Sequence, residues 1–160
     1  MKTMMRLLAC ATLFALLAPV AWSQDEKVEA DKLPQKVKDT LKAKFPGATI
    51  TAATKTTENG VVIYDIEMTK DGKKHEMDCK EDGTIVNFEN EIAAKDLPKT
   101  VTDAVKAKYP QATIKVVMEV IGVKDKKEAL EEYEVIIDTA DKKDLELTVS
   151  PDGKKIEEAK

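Results

Sequence analysis

The sequence predicts an α+β fold: a tandem repeat of helix plus four-stranded antiparallel sheet, with the helices packed on one sheet face. Three observations carry that prediction. An internal repeat is written twice at an offset of 64, with Leu33 to Ile50 and Leu97 to Ile114 identical at 11 of 18 positions. Each copy opens on apolar residues spaced four apart, the signature of one helix face. Each then turns to strand-like alternation punctuated by Asp-Gly pairs.

The chain begins with a targeting pattern. Lys2 and Arg6 form a short basic start, Leu7 to Val20 is almost unbroken apolar sequence, and Ala21-Trp22-Ser23 supplies the small residues that a signal peptidase reads. Residues 1–23 are therefore expected to be a signal peptide cleaved after Ser23, because the run falls short of the roughly 20 apolar residues of a membrane span. Leu7-Leu8-Ala9-Cys10 is a poor lipobox, since the apolar run continues past the cysteine. Periplasmic or secreted localisation follows, with no stable membrane anchor after cleavage. The remaining chain holds 24 lysines, no arginine and 30 acids, a net charge of −6. Cys79 is its single cysteine, so stability must come from a core and not from a disulfide.

Residues 24–32 read as an N-terminal linker, 33–92 as the first repeat and 93–160 as the second. In each, proline (Pro34, Pro98) suits the first helical turn. Leu33, Val37, Leu41 and Phe45 form the apolar stripe of one helix; Leu97, Val101, Val105 and Tyr109 form that of the other. Pro46 and Pro110 stop the helices, since the residue before proline is driven out of the α region. Thr49 to Thr56 and Thr113 to Val123 are β-branched runs. Tyr64 and Ile66 alternate with Ile63, Asp65 and Glu67, as Tyr133, Val135 and Ile137 do with Glu134, Ile136 and Asp138. Asp71-Gly72 predicts a hairpin, with His75, Met77 and Cys79 on one face of the returning strand. Asp82-Gly83 and Asp152-Gly153 mark a further turn, followed by short strands at Ile85 to Phe88 and Lys155 to Ile156. The last pair of turns is offset by 70, so the second copy carries six additional residues. Gly122 to Glu132 is expected to hold them as a solvated hairpin loop, with Glu89 to Asp96 as the connector and Glu157 to Lys160 as a frayed tail.

Half-chains of this size bury only about 60% of their surface and are marginal alone. The two sheets are thus expected to join or to pack side by side, leaving one sheet face open.

Chemistry is sparse. His75 is the only histidine, and Ser150 and Cys79 are the only Ser and Cys beyond residue 23. On one strand His75 and Cys79 lie roughly 13 Å apart, too far for proton transfer. They align in the repeat with Leu145 and Val149, which are apolar positions. Too few ligands exist for zinc or copper, and neither Asp78 to Gly83 nor Asp138 to Asp144 has EF-hand spacing. No phosphate-binding glycine loop occurs. A negative charge, an absence of arginine and core-like placing of Phe45, Tyr64, Phe88, Tyr109 and Tyr133 argue against nucleic acid. No catalytic, cofactor-binding or metal residues are assigned, and no enzyme activity is expected.

The run Leu33-Pro34, Phe45-Pro46-Gly47-Ala48, Tyr64 and Asp82-Gly83 resembles the PepSY-like (β-lactamase-inhibitor-like) family. Leu97-Pro98, Tyr109-Pro110-Gln111-Ala112, Tyr133 and Asp152-Gly153 match it again, so the resemblance spans Leu33 to Ile156. All of these are fold residues. The resemblance implies a tandem exported fold and, by analogy, an inhibitor of a peptidase or β-lactamase-type enzyme. The expected function is a non-enzymatic binding module that offers an open sheet face, or the Gly122–Glu132 hairpin, to an exported protein partner. The candidate face is Ile63, Asp65 and Glu67 with Glu134, Ile136 and Asp138. The alternative is an acidic cell-envelope protein that binds cations or small ligands through the same carboxylates.

Overall fold

The computed structural model describes residues 26–58, 60–141 and 144–159. The expected signal segment, residues 1–23, lies outside the described residues. The elements follow in the order β1 (Glu26–Lys27), α1 (Gln35–Lys44), β2 (Thr49–Glu58), β3 (Val61–Lys70), β4 (Lys73–Lys80), β5 (Ile85–Ile92), α2 (Lys99–Lys108), β6 (Thr113–Lys124), β7 (Lys127–Asp138), β8 (Asp144–Val149) and β9 (Ile156–Glu158). Three-residue 3-10 turns precede each helix, at Ala30–Lys32 and Ala94–Asp96. The nine strands form one antiparallel sheet in sequence order, β1 at one edge and β9 at the other. Of the two arrangements expected, joined sheets is the one found: Phe88 pairs with Ile121 and Ile92 with Val117 across the seam.

Both helices lie on one face of this sheet. Val37 and Leu41 of α1, with Leu33 and Phe45 at its ends, are buried against Tyr64, Ile66 and Met68 of β3, Met77 and Cys79 of β4, and Phe88 of β5. Val101 and Val105 of α2 are buried with Leu97 against Val117, Tyr133, Val135, Ile137, Leu147 and Val149. The prolines sit just outside the helices as their N-caps, and their carbonyls accept the first helical bonds from Lys38 and Thr102, at 3.1 and 2.9 Å. Phe45 and Tyr109 close the helices at the far end, as the following prolines require.

The late turns fasten each sheet half to its helix. Gly83 has φ +86 and Gly153 has φ +70, a left-handed backbone that favours glycine. A Cβ on Gly153 would stand 2.5 Å from the Thr100 carbonyl oxygen of α2, and one on Gly83 would stand 2.9 Å from Thr40 Oγ1 of α1. Thr40 Oγ1 donates to the Gly83 carbonyl at 2.9 Å, which ties the turn to α1.

Several expectations are corrected. Gly122 to Glu132 forms the expected hairpin, exposed from Lys124 to Glu131, but as strand and not as loop. β6 and β7 continue through it to a two-residue turn at Asp125 and Lys126, both at positive φ. The extended hairpin reaches back over the first core, where Ile121 and Val123 pack, and Glu128 pairs with Lys44 of α1 at 2.6 Å. Alternating apolar residues in β6 earn strand pairing by burying against that neighbouring half, which a local reading does not see. Glu89 to Asp96 is not a plain connector, because β5 runs to Ile92 to complete the seam. Glu157 and Glu158 belong to β9 and do not fray; Ala159 N also donates to the Glu146 carbonyl at 3.0 Å. Within 24–32, Glu26 and Lys27 add an edge strand that pairs with Lys55 and Thr54.

Candidate functional site: the uncovered face of the sheet

Strand alternation assigns every residue to a face, and register links the faces across strands. Ile63, Asp65 and Glu67 point away from α1, because Tyr64, Ile66 and Met68 point toward it. Glu134, Ile136 and Asp138 point away from α2 for the same reason. The six candidate residues thus share the helix-free face, but β4, β5 and β6 separate the two groups.

The intervening strands carry what the sequence reading missed. Asp65 stands opposite Asp78, and Glu67 opposite Glu76. Glu76 in turn stands opposite Glu89 of β5. A row of glutamates therefore crosses β3, β4 and β5, continuing to Val120 of β6 and Glu132 of β7. The next row runs Glu91, Met118, Glu134 and Thr148. Like charges directly opposite one another destabilise a sheet. Signal for this existed in the alternation of Glu76 with Met77 and of Glu89 with Phe88, but the partners are set by register, not by local pattern.

Met118 and Val120 lie on this face, belong to neither helix-side core, and are only 6% exposed. The carboxylates feel the same enclosure. Burial, then the charges of Glu134 and Glu76, push the Glu89 carboxyl up to about 8. Burial, then Glu146 and Glu76, push Glu134 up to about 7. Glu76 is raised by burial, then by Asp65 and Glu67. One oxygen each of Glu89 and Asp138 is inaccessible and accepts no hydrogen bond. Other members are partnered: Asn87 donates to Asp78 at 3.0 Å, and Thr54 approaches Asp65 at 3.5 Å. Among the described residues, lysines reach the borders of this side: Lys74 at one end, Lys80, Lys124 and Lys127 at the other, Lys115 paired with Asp144 at 2.8 Å, and Lys155 paired with Glu157 at 2.9 Å.

His75 and Cys79 face the helices instead. His75 Nδ1 lies 2.9 Å from Asn90 Oδ1, and its ring packs 5.2 Å from that of Phe45. Cys79 is fully buried; burial, then Asp82 and Asp78, push its thiol up to about 11, which suppresses the nucleophilic thiolate. Both are packing residues. Among the described residues no three His, Cys, Asp or Glu side chains converge on a metal-sized centre. No described helix is long and apolar enough to cross a membrane.

The family profile described as "Putative beta-lactamase-inhibitor-like, PepSY-like" matches residues 63–157, more than half of the chain. The chain belongs to the PepSY-like family. A second profile, the peptidase propeptide and YPEB domain (PepSY), matches residues 34–85 of this PepSY-like chain. No curated protein matches it. Its fold is similar to that of a BLIP-like protein from Bacteroides fragilis, at 22% identity and TM-score 0.53, with 79% of this chain and 85% of that one covered. It is similar also to a DUF2874 family protein from Bacteroides uniformis, at 15% identity and TM-score 0.57, covering 78% and 88%. A Bacteroides eggerthii structure described as "putative periplasmic" gives 14% identity and TM-score 0.57, with the same coverages. These likenesses establish a shared fold.

Proposed function

We propose that this PepSY-like protein is an exported, non-catalytic module that seats a protein partner on the uncovered sheet face. The observation that carries the reading is the two-sidedness of the sheet. Both helices seal one side, while the other is a broad surface that no described element covers. Ile63, Asp65, Glu67, Glu134, Ile136 and Asp138 form its two flanks, with Glu76 and Glu89 between them. Occupying an enzyme's cleft needs shape and no chemistry, so steric inhibition of a peptidase or β-lactamase-type enzyme is compatible with a site that lacks a nucleophile. The inhibitor-like and propeptide character of the matched families supports the same reading. A protein partner is favoured over a bound cation because the carboxylates spread across five strands and do not converge on a point.

Two finer features belong to this proposal. The chain is two copies of one unit, a helix with four antiparallel strands, joined through β5 and β6; the 64-residue repeat and the matched turns at Gly83 and Gly153 support it. Export uses residues 1–23, with release into the periplasm or medium; N-terminal sequencing of the exported protein should begin at Gln24.

The direct test is affinity capture from the envelope fraction of the producing organism. The wild-type protein should retain a partner that a variant carrying Ile63→Asp and Ile136→Asp does not. Capture that is indifferent to this change would remove the sheet face from the interface.

A further inference from the structure

We infer that the partner segment seated on the uncovered face is basic, a stretch of protein bearing lysine or arginine that lies across β3 to β7. This rests on the reading of that face as the docking surface and adds the chemistry of the occupant. Charge complementarity is the first argument. Register sets Glu67, Glu76 and Glu89 in one line with no lysine among them, although the chain beyond residue 24 has 24 lysines to place. Among the described residues the lysines lie on the helix side or along the borders of the face, where Lys115 pairs with Asp144 and Lys155 with Glu157. Pairing a line of like charges is unfavourable for the isolated protein and becomes favourable once cations lie across it.

The second argument does not depend on counting charges. An oxygen of Glu89 and an oxygen of Asp138 are shut away from water and have no donor. Buried acceptors of this kind are normally satisfied. Turned outward as a segment docks, those oxygens can take their donors from an occupant's ammonium or guanidinium groups, which donate and carry no acceptor. Met118 and Val120, on the same face, give the alkyl stems of such side chains an apolar floor.

The test uses a fluorescent decapeptide of alternating Lys and Thr, with its Glu-Thr counterpart as control, titrated with the purified protein by anisotropy at low and high salt. One variant carries Glu76→Gln, Glu89→Gln and Glu134→Gln. A second carries Asp31→Asn, Asp39→Asn and Asp103→Asn on the helix side; at pH 9, above the raised values of Glu89 and Glu134 near 8 and 7, both variants lose three charges. The Lys-Thr peptide should bind the wild type, more weakly at high salt, and the Glu-Thr peptide should not. The sheet variant should bind about tenfold more weakly and the helix-side variant within about twofold of wild type. Removing like charges should leave the sheet variant at least as heat-stable as wild type, so loss of binding cannot be blamed on unfolding.

Equal weakening by both variants, or no binding of the basic peptide at low salt, would overturn the inference. So would saturable binding of calcium alone with no peptide binding, or a dimer that the sheet variant dissolves, which would make the occupant a second copy. A captured partner that Ile63→Asp and Ile136→Asp lose but the glutamine variant keeps would leave the docking face standing and remove its basic occupant. A partner indifferent to all five changes would remove the docking face itself.

Discussion

Ile66 and Glu67 are neighbours in the chain, yet one is fully buried under α1 and the other lies on the opposite side, in line with Glu76 and Glu89. The same alternation repeats at Met77 and Asp78, at Phe88 and Glu89, and at Tyr133 and Glu134. The two sides are held together by different physics. Apolar side chains from helix and strand interlock on one, where nondirectional burial contributes the bulk of the folding free energy. On the other, acidic side chains face each other across neighbouring strands, and the sheet persists despite them. The covered side stabilises the fold; the uncovered side is tolerated by it, which is the pattern expected where a surface serves another molecule.

The sharpest way to break this contrast is to truncate both sides alike. Ile66→Ala should cost about 2–5 kcal/mol in urea unfolding, because it leaves a cavity beneath α1. Ile63→Ala, three residues earlier on the other side, should cost less than about 1 kcal/mol. Equal losses would mean that the uncovered side is also a core.

Next in size is the acid response. Glu89 and Glu134 have raised carboxyls, near 8 and 7, so the folded protein holds protons that the unfolded chain releases above the ordinary value of 4.5. The stability carried by their neutral forms is complete below that value and is lost as pH rises through 7 and 8. Melting temperature should therefore fall from about pH 5 to about pH 8. Glu89→Gln should flatten the slope and raise stability at the alkaline end by about 1–2 kcal/mol after allowance for solvent screening. A flat wild-type profile would show that water reaches these carboxyls freely.

A smaller effect measures how the long hairpin joins the two cores. Lys44 meets Glu128 at 2.6 Å and sits 3.7 Å from the centre of the Phe88 ring. Lys44→Ala should cost about 1 kcal/mol. A double-mutant cycle with Glu128→Ala should then assign about half of it to the ion pair, with the remainder surviving high salt. Smallest is His75→Leu. It exchanges the contact with Asn90 for the residue found at the matching place in the second half, Leu145, and should move the unfolding midpoint by less than about 1 kcal/mol. A larger loss would assign His75 more than packing.

Local signals named both helices to within a residue, since the i+4 stripe, the leading proline and the stopping proline act within one or two turns. The turns at Gly72, Gly83 and Gly153 were equally legible, because positive φ selects glycine at short range. Within the candidate site, the flanks on β3 and β7 could be placed from alternation next to Tyr64 and Tyr133. Its centre could not. Glu76 and Glu89 read as ordinary solvated charges until register sets them opposite each other, and register depends on bulges such as those at Asp78/Cys79 and Ile50/Ala52. The β6–β7 hairpin was legible as a hairpin, but the reach of its strands was not, because Ile121 and Val123 pack on the half that precedes them.

What the amino-acid order fixed unaided is the inventory of elements and the side each strand residue takes, because backbone geometry has a period of two in strands and 3.6 in helices and needs no distant partner. Only the folded chain decided that the strands fuse into one sheet and that carboxylates far apart in sequence share one face. Those outcomes depend on which backbone groups pair at long range and on how far burial lowers the local dielectric, and neither is written in any short window of residues.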